Sequence, residues 1–111
     1  MFKLAIEDIV EVNVKFTIKV KGIQKLFAFP FFATRLSQDE ISTRLEDNKR
    51  KTKEFMADLV TGWAGQRLVL DANDVPADFS PEALEAMLNA PGVATVFFNA
   101  YLRDVGVTEK N

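Results

Sequence analysis

From Glu11 to Lys21 apolar and polar residues alternate, with Val12, Val14, Phe16, Ile18 and Val20 on one side and Glu11, Asn13, Lys15, Thr17, Lys19 and Lys21 on the other. A period of two is that of a half-buried strand. Lys21-Gly22 supplies a tight turn, the glycine taking the positive φ, and a phenylalanine-rich run then returns as a second strand. An antiparallel hairpin over about residues 11–35 follows. A two-residue loop sets Val20 opposite Ile23, Ile18 opposite Lys25, Phe16 opposite Phe27, Val14 opposite Phe29 and Val12 opposite Phe31. Opposed residues point the same way, so this register gathers one apolar face, and a slip of one residue scatters it. The other face pairs Lys15, Thr17 and Lys19 with Leu26, Ala28, Pro30 and Phe32, a half-apolar surface that calls for a cover.

Beyond the hairpin the period becomes helical. Ser37-Gln38-Asp39-Glu40 has the capping-box arrangement and predicts a helix start, with Ile41 and Leu45 as its apolar edge. Residues 46–54 are almost wholly charged or polar, so the helix frays or crosses solvent there before Phe55, Met56, Leu59, Val60 and Trp63 resume a helical stripe. Gly62 and Gly65 are expected to end it around Trp63, leaving 67–71 as a possible third short strand. Ser80-Pro81-Glu82 predicts another helix, with Leu84, Met87 and Leu88 inward, broken by Pro91-Gly92. The last helix runs to about Val105, and only Thr95, Asn99 and Arg103 form a polar line along it. Such a helix is either central to the core or docked on a partner. The expected fold is therefore α+β: one domain over 1–111, an N-terminal hairpin packed against about four helices spanning about 37–105.

Composition narrows the function. With 111 residues, 48% hydrophobic and 27% charged, the chain is of single-domain size and globular class. Net charge is −2, which gives no global attraction to nucleic acid or anionic lipid. The longest apolar run, Leu26 to Ala33, contains Pro30 and is far short of the roughly 20 residues of a membrane span. The absence of cysteine suits a reducing compartment, and a cytoplasmic location is expected.

Histidine is absent as well, which removes the commonest general base and metal ligand together with the thiol nucleophile. The remaining acid pairs, Glu7/Asp8 and Asp39/Glu40, lack an apolar setting that would raise a carboxyl pKa. Asp71-Ala72-Asn73-Asp74 begins like a calcium loop, but Val75 and Pro76 stand where a ligand and the turn glycine belong, so it reads as a turn. The glycines have no phosphate-loop spacing. No enzyme activity, cofactor or metal is expected. Two basic groups, Lys15/Lys19/Lys21/Lys25 and Lys49/Arg50/Lys51/Lys53, lack interleaved stacking aromatics and read as solvated faces. What stands out is the aromatic surplus, ten phenylalanines with Trp63 and Tyr101. Phe16, Phe27, Phe29 and Phe55 are expected in the core. Phe31, Phe32, Trp63, Phe97, Phe98 and Tyr101 are the candidates for a partner-binding surface, with self-association the nearest competitor.

Thr61-Gly62-Trp63, Gln66, Leu68-Val69-Leu70-Asp71, Phe79-Ser80-Pro81-Glu82-Ala83-Leu84, Pro91-Gly92 and Ala100-Tyr101-Leu102, with an N-terminal region opening Phe2-Lys3-Leu4-Ala5, resemble phage tail assembly chaperones over the length of the chain. Where that family tends to have a glycine in the turn after Asp71, this chain has Asp74-Val75. The resemblance implies a small cytoplasmic protein, absent from the finished particle, that binds the tape measure protein and helps recruit tail tube subunits. A structural head-tail connector or tail terminator is the alternative, and a small nucleic-acid-binding regulator a weaker one.

Overall fold

The computed structural model describes residues 2–46 and 51–106. Two twelve-residue strands, β1 (Ile9–Val20) and β2 (Ile23–Thr34), form the hairpin in the register expected from the alternation, from Val20 opposite Ile23 through Val12 opposite Phe31. The turn takes positive φ at both central residues, 51° at Lys21 and 82° at Gly22. That geometry matches the right-handed twist of the two strands.

Four helices follow: α1 (Gln38–Glu46), α2 (Thr52–Leu59), α3 (Pro81–Asn89) and α4 (Val93–Val105). The capping box forms in α1, where the Glu40 N–H donates to Ser37 Oγ at 3.2 Å and the Ser37 N–H to Glu40 Oε1 at 3.1 Å. The bond from the Ser37 backbone, then that from its side chain, holds the Glu40 carboxyl below its usual pKa. Ser80 caps α3 by accepting from the Ala83 N–H at 3.0 Å. Between α3 and α4 the Val93 N–H returns to Ala90 O at 3.1 Å, with Pro91 and then Gly92 (φ 83°) at the two central places, as a type II turn requires.

The third strand is not at 67–71. Instead α2 stops at Leu59 and β3 (Val60–Trp63) begins at once, pairing antiparallel with β2 through Phe31/Trp63, Phe32/Gly62 and Ala33/Val60. Val60 and Trp63 continue the apolar spacing of α2, and that spacing alone reads as further helix. A β-branched pair and a glycine at Val60-Thr61-Gly62 favour the extended chain once an open edge of β2 lies alongside. The sheet order is β1-β2-β3.

One face of the sheet carries Val10, Val12, Val14, Phe27, Phe29, Phe31 and Ala33, all buried. α4 lies against it: the Phe97 ring stacks on Phe31 at 4.4 Å and meets Phe29 at an angle of 60°. Phe55 of α2 then meets Phe98 and Tyr101 edge-on. The nearly all-apolar last helix is thus the centre of the core, with Thr95, Asn99 and Arg103 its exposed line.

Tyr101 also carries a polar function. Its buried hydroxyl donates to Thr34 O at 2.7 Å and accepts the Leu36 N–H at 3.1 Å, satisfying the chain where β2 gives way to the helices. Tyr101→Phe should lower stability by about 1–3 kcal/mol in urea unfolding, because both main-chain groups lose their buried partner. Burial raises the Tyr101 pKa, outweighing the Leu36 bond. Its contribution is therefore fully present below the unfolded value of about 10 and lost as pH rises through the higher folded value. The phenylalanine variant should lack that part of the alkaline loss.

Candidate protein-interaction surface

The six aromatic candidates divide by burial. Phe31, Phe97 and Tyr101 are wholly enclosed and present no surface to a partner in this conformation. The cause is the coherent hairpin face, which takes Phe31 inward and needs Phe97 and Tyr101 of α4 to cover it. Phe98 is half-buried, held edge-on by Phe55 at 5.2 Å.

Trp63 lies at the rim of the covered face, half-buried, with Phe79 edge-on at 5.1 Å and its Nε1–H donating to Ala77 O at 3.3 Å. Phe32 points to the opposite face of the sheet. Its ring lies against Gly62, whose added Cβ would meet Phe32 Cδ2 at 3.6 Å.

That opposite face is the accessible one. Leu26, Ala28, Pro30 and Phe32 run down β2 in a column, flanked on β1 by Lys15, Thr17 and Lys19. The cover expected over this column is lacking at its outer half: Leu26 is 55% exposed and Ala28 exposed, whereas Pro30 and Phe32 are half-buried. On the other side of the sheet, that of Val12 and Phe31, the hairpin tip is also open, with Ile23 73% and Val20 47% exposed. An apolar column bordered by ammonium groups can hold an apolar segment reversibly, and it fixes the partner's charge preference at its margin. Of the six predicted surface residues the structure brings Phe32 to this face, at its three-stranded base; Trp63 pairs with Phe31 and lies on the covered side, where Phe97 and Tyr101 are enclosed. Leu26 was not among the six, although the strand register already placed it on the outer face.

Behind Trp63 the chain is held by Gln66, whose side-chain amide is buried. Its Nε2 donates to Val69 O at 2.9 Å and Ala77 O at 3.0 Å, and its Oε1 accepts the N–H groups of Leu68 and Val69 at 3.0 and 2.8 Å. Further out, Asp71 Oδ1 accepts the N–H groups of Asn73 and Val75, so this carboxylate closes its own turn. Asp74 takes φ 60°, the left-handed conformation that a glycine adopts without cost. Asp74→Gly should raise stability by about 0.5–1 kcal/mol, read as a shift of the urea midpoint. Lys49 and Arg50 of the second basic group lie outside the described residues. Lys53 instead ties α2 to α3, its Nζ 2.6 Å from Asn89 Oδ1 and 3.8 Å from Glu85.

No described helix is long and apolar enough to cross a membrane. Compared with family models, curated proteins and solved structures, the chain matches none.

Proposed function

We propose that this chain is a phage tail assembly chaperone, a non-enzymatic cytoplasmic protein that covers apolar segments of the tape measure protein and helps recruit tail tube subunits. The family resemblance of the sequence supplies the named partners. The observation that carries the binding role is the uncovered column on the outer face of the sheet, with Leu26 more than half exposed. An apolar stripe of this kind on a folded sheet loses free energy by covering a partner's apolar surface, at about 25 cal/mol per Å² removed from water. Lysines at its border keep the unoccupied face soluble.

Co-production with the neighbouring tape measure gene tests the reading. The tape measure protein should remain in the soluble fraction with the parent chain and precipitate with Leu26→Asp or Phe32→Asp. Leu26→Asp should keep the parent melting temperature within a few degrees, because an exposed strand position tolerates it. Tyr101→Asp is unsuited to the purpose, since it places a charge in the core. Equal insolubility with and without the chain defeats the proposal. Mass spectrometry of purified particles separates it from the virion-component alternative, which requires the chain to be present there.

A further inference from the structure

The sheet has three strands at its base and two at its tip. A two-residue turn makes Val20/Ile23 a hydrogen-bonded pair, and pairs then alternate down the ladder. Asn13/Pro30 falls in the other phase, so the main-chain groups of Asn13 and Pro30 point away from each other. Two contacts agree with this: Arg103 Nη2 donates to Asn13 O at 3.0 Å from outside β1, and the Ala64 N–H donates to Pro30 O at 3.2 Å from the β3 side. Gln24, Leu26 and Ala28 share the phase of Pro30. Their N–H and C=O groups therefore face the edge where β3 would continue.

The third strand does not continue. Pro30 has no N–H to return to Ala64, and Gly65, at φ 67°, turns the chain off the line. A groove of about 500 Å³ is left between 25–29 of β2 on one side and Gly65 and Arg67 on the other. Its edge residues of the open phase are uncharged. The free edge of β1 differs, since Lys15 and Lys19 punctuate it and Arg103 occupies Asn13 O. Lysines on an edge strand discourage pairing.

We propose that the open edge of β2 is an acceptor site: an extended apolar segment flanked by carboxylates adds to the sheet alongside 24–28, in the line of β3. Charge selects the occupant. Lys15, Lys19, Lys21 and Lys25 gather on the hairpin's outer half, Arg67 lines the groove, and no carboxylate occurs from residue 12 to residue 38. The Lys25 ammonium lies 5.7 Å from the centre of the Phe27 ring, which keeps its charge over the inner face beside the groove. A segment with lysines at its ends meets repulsion there, and one with glutamates meets attraction. Main-chain bonds then supply affinity in the manner of added strands. The inference is independent of the chaperone reading, since it concerns any partner that offers such a segment.

The test uses the full chain and two end-capped peptides that share a Val-Thr-Val-Thr-Val centre, one with two glutamates at each end and one with two lysines. The glutamate peptide should bind at least tenfold more tightly, lose that advantage on raising the salt from 50 to 500 mM, and slow amide exchange at Leu26 and Ala28. Ala28→Pro removes one outward N–H in the same phase as Pro30; it should keep the parent melting temperature and weaken binding at least tenfold. Arg67→Glu should reduce the preference between the peptides without touching the hairpin, and so tests the site even if Ala28→Pro folds poorly. Equal affinity for the two peptides, absence of binding, amide changes away from 24–28, or occupation of this edge by a second copy of the chain would each overturn the proposal.

Discussion

Phe97→Ala should cost about 4 kcal/mol of folding stability, within the range for truncating a buried phenylalanine. Phe97 is wholly buried, face to face with Phe31 at 4.4 Å and angled to Phe29 at 6.0 Å, so its removal opens a cavity between the sheet and the helix that covers it. The rings on either side belong to a strand and cannot collapse into that space without shifting the ladder. A domain of this size has a total stability on the order of 5–15 kcal/mol, so the loss consumes a large share of it. Urea unfolding should show a lower midpoint with the slope unchanged, since native and unfolded areas alter little. Phe97→Leu refills most of the volume and should recover more than half of the loss. A partner-facing Phe97 would behave in the opposite way, with stability within about 0.5 kcal/mol of the parent, and that result would refute the packing described here.

The hairpin was legible because each of its determinants is local: alternation over eleven residues, a turn dipeptide, and a register in which both strands' apolar sets agree. The helix starts at Ser37 and Ser80 were legible for the same reason, the cap and its partner lying three residues apart. β3 was not. Val60-Thr61-Gly62-Trp63 is extended because β2 offers an edge, and that offer comes from residues some thirty positions earlier. The burial of Phe31, Phe97 and Tyr101 depends in the same way on which helix covers the hairpin, whereas the exposure of Leu26 followed from the register, which puts it on the face that α4 does not cover. On the covered face the twelve-residue strands outrun the helical layer, which leaves Val20 and Ile23 exposed at the tip, and the molecule's long axis reaches 52 Å. The accessible part of the surface therefore lies where the fold has too little helix to cover its own sheet. It does not coincide with the greatest concentration of aromatics.

Gln66→Met should cost about 3 kcal/mol, a large effect for a side chain of nearly unchanged size. Gln66 is 2% exposed and uses both ends of its amide, bridging Leu68 and Val69 on one side and Val69 and Ala77 on the other. A methionine fills the space and leaves four main-chain bonds unmade; the Leu68 and Val69 N–H groups lose their acceptor, whereas Val69 O keeps the Ala77 N–H and Ala77 O keeps Trp63 Nε1. Each buried group left without a partner costs about 1–3 kcal/mol, and water can reach the outermost of them, which brings the sum down. The damage should be local in character. Ala77 O also accepts from Trp63 Nε1, so release of the segment should loosen the contact of Trp63 with Phe79. Trp63 is the chain's single tryptophan, and its emission should shift to the red in the folded variant before any denaturant is added. An unshifted spectrum with a loss under 1 kcal/mol would mean that the segment from Leu68 to Ala77 is held by its apolar contacts alone. With the shift, Gln66 is what fixes the end of β3 and the turn at Gly65, and through them the place where the third strand leaves the edge of β2 open.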